Sequence, residues 1–115
     1  MAFLFSCNDQ WGREVVLSDS RWTDHILPDH GEMAENVASV QEAIEQPNVV
    51  NFDVQAANGE NFYCLGALPA PFDQLLLKVC VRFTHQGVGQ NWRGEVITAY
   101  STNREKQGEM TKWRR

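Results

Sequence analysis

Apolar residues fall into short clusters separated by turn-forming residues along most of the chain, and in one stretch they recur at helical spacing. Met33, Val37, Val40 and Ile44 are four, three and four apart, which predicts a helix from about Glu32 to Gln46 with one apolar stripe. Glu35, Ser39, Glu42 and Glu45 lie off that stripe, and Pro47 ends it. Upstream, the apolar runs Ala2–Ser6 and Arg13–Leu17 flank Asn8-Asp9-Gln10-Trp11-Gly12, a loop between two antiparallel strands. Ser18, Asp19 and Ser20 offer N-caps for a short helical turn over about Arg21 to Leu27. Pro28 is expected to stop it, because proline disfavours helix at the residue before it.

Beyond Pro47 the pattern changes to strands. Val49–Val54, Asn61–Leu68, Leu75–Phe83 and Glu95–Ser101 are rich in β-branched, aromatic and aliphatic residues. Asn58-Gly59 suits a tight reversal, Pro69-Ala70-Pro71 excludes regular pairing, and the stretch from Gly87 to Gly94 reads as a longer connection. Consecutive strands joined in this way should be antiparallel. The polar, basic segment 104–115 reads as a terminal helix or an unpacked tail, outside a single domain of residues 1–103. The order hairpin, helices, strands predicts an α+β domain with helices packed on one face of a twisted antiparallel sheet.

Composition agrees with one core: 115 residues, 43% hydrophobic and 22% charged, with a formal charge of −5. Charge is unevenly distributed. Residues 1–77 carry two basic side chains against twelve acidic, whereas residues 78–115 carry eight basic against three acidic, so the second part can attract a polyanion despite the negative total. Cys7, Cys64 and Cys80 are odd in number, widely spaced and without a CxxC pair, which suggests buried reduced thiols rather than disulfides or a zinc site. No apolar run is long enough to span a bilayer and the first residues lack a signal-peptide pattern, so a cytoplasmic location without membrane partners is expected.

Strand alternation assigns Leu75, Leu77, Val79, Val81 and Phe83 to one face and Leu76, Lys78, Cys80 and Arg82 to the other. The second face suggests a shallow positive cleft, with Lys78 and Arg82 about 13 Å apart along the strand. Val96, Thr98 and Tyr100 likewise share a side, where Thr98 and Tyr100 can donate to phosphate oxygens or Tyr100 can simply half-bury its ring. His25 and His30 are the acid–base candidates, because imidazole titrates near neutrality and internal phosphodiester attack needs one group to take a proton and one to give it. Two other readings stay open: His25, His30 and Glu32 as metal ligands, or His30 and Asp29 as caps of the second helix. Tyr63 or Trp92 could stack a base or belong to the core, and His85 has no evident partner. No HExxH, GxSxG or complete glycine-rich phosphate loop is present.

The string Arg21-Trp22-Thr23-Asp24-His25-Ile26-Leu27, then His30-Gly31-Glu32-Met33, the helix ending at Gln46-Pro47-Asn48-Val49-Val50, and Val96-Ile97-Thr98-Ala99-Tyr100 resemble phage and prokaryotic nuclease-like domains of the barnase–EndoU–colicin–RelE grouping. The resemblance covers residues 13–102; one departure is glycine at position 31, where the grouping usually has proline between the histidine and the glutamate. It implies a small endoribonuclease, with no metal or other cofactor, that cleaves RNA through attack of the 2′-hydroxyl. Such domains are often toxins held by an antitoxin or immunity protein. Carried over, His25, His30, Lys78, Thr98 and Tyr100 become catalytic candidates; Arg21, Arg82 and Tyr63 are the candidates for binding substrate. The alternative is a catalytically inactive protein- or RNA-binding module of the same fold.

Overall fold

The structure, a computed structural model, describes residues 2–87 and 91–115. The expected hairpin forms as β1 (Phe3–Asn8) and β2 (Glu14–Ser18), paired antiparallel. Its turn is closed by Asp9, whose carboxylate accepts from the backbone N–H groups of Trp11 and Arg13.

Ser18 caps the next element by accepting from the Arg21 backbone N–H. The helical segment then runs further than its sequence suggests, through α1 (Asp19–Arg21), a π-helical turn (Trp22–Ile26) and α2 (Leu27–Asp29). Pro28 does not end it. The π turn, closed by the Leu27 N–H on the Trp22 carbonyl, inserts an extra residue ahead of a proline that lacks a donor of its own, and normal spacing resumes with His30 N–H on the Ile26 carbonyl at 2.8 Å.

The predicted helix over 32–46 is cut at its start. Gly31–Met33 is a 3₁₀ turn, Ala34 is extended, Glu35 takes a positive φ of 66°, and α3 spans only Val37–Glu45. Two tertiary contacts override the helical pattern: Met33 is fully buried, and the Glu32 carboxylate bonds Ser101 on a distant strand. Neither Asp29 nor His30 caps α3, whose N-cap is Asn36. Val40, Ala43 and Ile44 supply its buried stripe.

Five further strands follow: β3 (Val49–Phe52), β4 (Gly59–Leu65), β5 (Leu76–His85), β6 (Trp92–Thr102) and β7 (Met110–Arg114). They form one seven-stranded sheet in the order β1-β2-β6-β5-β4-β3-β7. The fold is therefore mixed α and β on a single sheet, but that sheet is not wholly antiparallel, because β2 pairs with β6 in parallel over Glu14–Val16 and Arg93–Glu95. The segment 104–115 is neither helix nor loose tail; it supplies β7, which pairs with β3 and sets Trp113 against the core. Of the connection read over Gly87 to Gly94, Val88–Gln90 lie outside the described residues, and β6 already begins at Trp92.

One sheet face carries Val15, Leu17, Val50, Phe62, Cys64, Leu77, Val79 and Phe83, with α3, Trp22 and Ile26 packed in the same cluster. Full burial of a side chain such as Phe62, Leu77 or Ile44 contributes about 1.5–3 kcal/mol each. The opposite face carries Asn51, Asn61, Tyr63, Lys78, Arg82, Glu95 and Tyr100, as their cross-strand pairing shows. A bulge at Ile97 adjusts β6 so that Val96 pairs with Val81 and Thr98 with Cys80. Val96 and Ala99 consequently both reach the core, and Val96 does not share a side with Thr98 and Tyr100.

Candidate functional site

Where β2 ends, β6 continues without that neighbour, and the helical segment 19–29 covers the gap. The result is a cleft of about 170 Å³ lined by polar groups from three elements: Ser18, Ser20, Arg21, His25 and Glu95. Phe3, Val16 and Val96 are its apolar walls. His25 and Glu95 are both exposed, and among the described residues neither side chain makes a hydrogen bond or ion pair. Glu95 stands directly opposite Arg82 in the β5–β6 ladder, so the cleft has a guanidinium from Arg21 within it and a second one beside it. Imidazole, carboxylate and guanidinium together can accept a proton, donate one and stabilise an anion. Glu95 was not singled out in the sequence, where it reads as an ordinary charge at the start of a strand.

His30 does not join this cleft. Five residues after His25, more than a full turn along a helical segment, it leaves on another side and stacks on Tyr100 with ring centroids 4.9 Å apart. Glu32 sets this arrangement by accepting from both the Ser101 backbone N–H (3.0 Å) and its hydroxyl (2.9 Å). Burial alone would raise the Glu32 pKa, but the Ser101 hydrogen bonds hold it below the ordinary carboxylate value. Tyr100 is five residues from Glu95, about 16 Å along the strand.

Lys78 does not line this cleft. It is 4% exposed and its Nζ lies 3.3 Å from Glu109, whose carboxylate also accepts from the Tyr63 hydroxyl (2.7 Å), Asn61 Nδ2 (2.6 Å) and Asn51 Nδ2 (3.2 Å). Glu109 comes from the segment that folds back over the polar sheet face before β7. Burial by itself would lower the Lys78 pKa; hydrogen-bonding and charged neighbours, Tyr63 first, keep it above the usual lysine value. Tyr63 is fully buried with its phenol pushed up to about 12 by burial, so it has no ring face for a base. Thr98 is half-buried beside Cys80, and Arg82 is exposed beside Asp53 and Ile97. The eight candidate positions thus divide: Arg21 and His25 share a cleft with Arg82 near it, His30 and Tyr100 form a stack, Lys78 and Tyr63 belong to a buried polar network, and Thr98 lies beside Cys80.

A second polar assembly holds the other end of the sheet. The Arg13 guanidinium makes two bonds to Glu60 (2.9 and 2.8 Å) and reaches Asp9 at 2.7 Å, lying 3.8 Å over the Phe83 ring. Lys112 joins at 2.9 Å from Glu60 and 4.4 Å above Trp11. Part of the basic second half of the chain is thus engaged with carboxylates, Lys78 with Glu109, Lys112 with Glu60 and Arg114 with Glu105. Beside this assembly Trp11 and Trp92 border a groove of about 500 Å³.

Burial raises the Cys7 and Cys80 thiols to about 12 and about 11, which keeps them protonated at neutral pH. Among the described residues no three His, Cys, Asp or Glu side chains are gathered to hold a metal, Glu32 being engaged with Ser101. No helix among them is long and apolar enough to cross a membrane. No family model, curated protein or solved structure matches the chain.

Proposed function

We propose that the chain is a metal-independent endoribonuclease of the type its sequence resembles, with its site in the Arg21–His25–Glu95 cleft. The observation that carries this reading is the meeting of an unpaired imidazole, an unpaired carboxylate and a guanidinium in one cleft. Glu95 takes the proton of a ribose 2′-hydroxyl, whose oxygen attacks the adjacent phosphorus. The bond from phosphorus to the 5′-oxygen breaks, and protonated His25 gives that oxygen its proton, leaving a 2′,3′-cyclic phosphate and a 5′-hydroxyl. Arg21, with Arg82 across from Glu95, stabilises the charge that builds on the phosphorane oxygens. This assignment replaces the two-histidine scheme: Glu95 takes the second proton-transfer role, and His30 becomes a packing partner of Tyr100. A toxin-like role with an antitoxin or immunity partner follows from the resemblance alone.

The test is incubation of the purified chain with total RNA in chelator, followed by a denaturing gel. Discrete fragments are expected from wild type and from His30→Ala, with cleavage lower by about 10² or more in His25→Ala and Glu95→Gln. Intact RNA in every lane would overturn the enzyme reading in favour of a binding module. Equal loss in His30→Ala and His25→Ala would overturn this choice of site.

A further inference from the structure

The groove at the start of β6 is built differently from the cleft at Glu95. Its volume of about 500 Å³ is within the range of ligand sites, and its walls are two tryptophans from separate elements: Trp11 in the β1–β2 turn and Trp92 at the start of β6. Their exposures, 41% and 38%, are high for the largest aromatic side chain. Each ring is nevertheless held in place. Lys112 and Arg13 sit on Trp11 at 4.4 and 5.1 Å, and His85 packs perpendicular to Trp92 with ring centroids 5.1 Å apart, while Trp92 stays 38% exposed. Asn8, Gln86 and Asn91 add amide donors and acceptors to the lining.

The groove and the cleft are joined by Arg93. It lies two residues before Glu95 on the same face of β6, about 7 Å along the strand, and stacks 4.7 Å over Phe3, which is itself a wall of the cleft. Its Nε is 3.6 Å from Glu14, and among the described residues its guanidinium makes no hydrogen bond. Fixed aromatic rings, amides that can read base edges and a partly free guanidinium for the backbone are what single-stranded nucleic acid requires.

We propose that this groove is the base-binding subsite for single-stranded RNA, with a base stacked on Trp92, Trp11 flanking it and Arg93 on the intervening phosphate. The proposal rests on the ribonuclease reading for its direction along β6, from Glu95 towards Trp92. It adds a substrate class: unpaired RNA extending at least one nucleotide from the scissile bond, with duplex excluded because its bases are already stacked.

The test uses the whole chain and a labelled 2′-O-methyl octaribonucleotide, which cannot undergo internal attack, with binding read by fluorescence anisotropy. Trp92→Ala and Trp11→Ala are expected to weaken binding about tenfold each, and Trp92→Phe to recover most of it. Circular dichroism spectra matching wild type confirm that the variants fold. Unchanged binding in both alanine variants, or no octamer binding by wild type, overturns the proposal. The two readings fail separately: a wild type that binds the octamer through Trp92 but cleaves no RNA loses the enzyme and keeps the subsite, whereas cleavage with tryptophan-independent binding does the reverse.

Discussion

Lys78 Nζ lies 3.3 Å from the Glu109 carboxylate, with the two side chains 5% and 0% exposed. Such a pair is costly to break from one side, because the remaining charge is left in a low-dielectric interior. Lys78→Met is therefore expected to lower stability by roughly 3 kcal/mol, and Lys78→Met with Glu109→Gln to recover part of that loss. Urea denaturation measures both. Cleavage per folded molecule should stay near wild type, since Lys78 is not in the cleft; a stable Lys78→Met protein without activity would contradict that placement.

The pH dependence of stability has a definite sign at each end. Burial lifts the Tyr63 phenol to about 12, so the native state keeps a proton that the unfolded chain releases near 10. Stability is intact below about pH 10 and falls as pH rises towards 12. At the acid end, burial would raise the Glu60 pKa, but the Arg13 and Lys112 hydrogen bonds outweigh it and hold the carboxyl below its ordinary value. That contribution is present above the unfolded carboxylate range near pH 4.3 and is lost as pH falls through the lower native value. Thermal melts across pH 2–12 should show both limbs, and Glu60→Gln should flatten only the acid one.

Gly94 has no room for a side chain. A Cβ there would fall 2.7 Å from both Phe83 Cε1 and Val81 Cγ1, which belong to the packed core. Gly94→Ala should cost about 1–3 kcal/mol. Gly31 has nothing within 4 Å of a built Cβ, so Gly31→Ala should change stability by no more than about 0.5 kcal/mol. Paired thermal unfolding curves decide this, and equal melting temperatures would show that β6 shifts to admit the methyl.

Much of the fold was legible where a rule is local. The β1–β2 hairpin follows from turn residues between apolar runs, and the buried face of α3 from its spacing. The misses share a cause, in that distant residues decide the outcome. The spacing of Met33 to Ile44 carries no sign that Glu32 will bind Ser101 and break the helix. In 104–115, Met110, Lys112 and Trp113 are too few to mark a strand until β3 offers an unpaired edge. The parallel β2–β6 pairing is invisible because nothing in either strand names its neighbour. The candidate cleft was missed in part for the same reason: His25 was found as an imidazole, but Glu95, which lines the same cleft, is 70 positions away and is brought near it by the packing of the helical segment on β6.

Removal of residues 110–115 should be severe for a segment so polar. Without it β3 loses its outer ladder, Trp113 leaves the core, and Glu60 and Glu105 lose Lys112 and Arg114. Hydrogen exchange is expected to show β3 amides unprotected, and cooperative unfolding should be lost or shifted to much lower urea. Retained protection in β3 would mean that β4 alone holds it.

The parallel partnership of β2 with β6 also has a consequence for the order of assembly on the ribosome. The hairpin and the helical segment 19–29 are synthesised first, yet the strand against which β2 pairs is made some 75 residues later. During that interval Val15, Leu17, Trp22 and Ile26, all buried in the finished protein, have no sheet to cover them. Long-range closure of this kind slows folding and leaves apolar surface open to other chains, so the nascent N-terminal third is the part of this protein on which a chaperone would act.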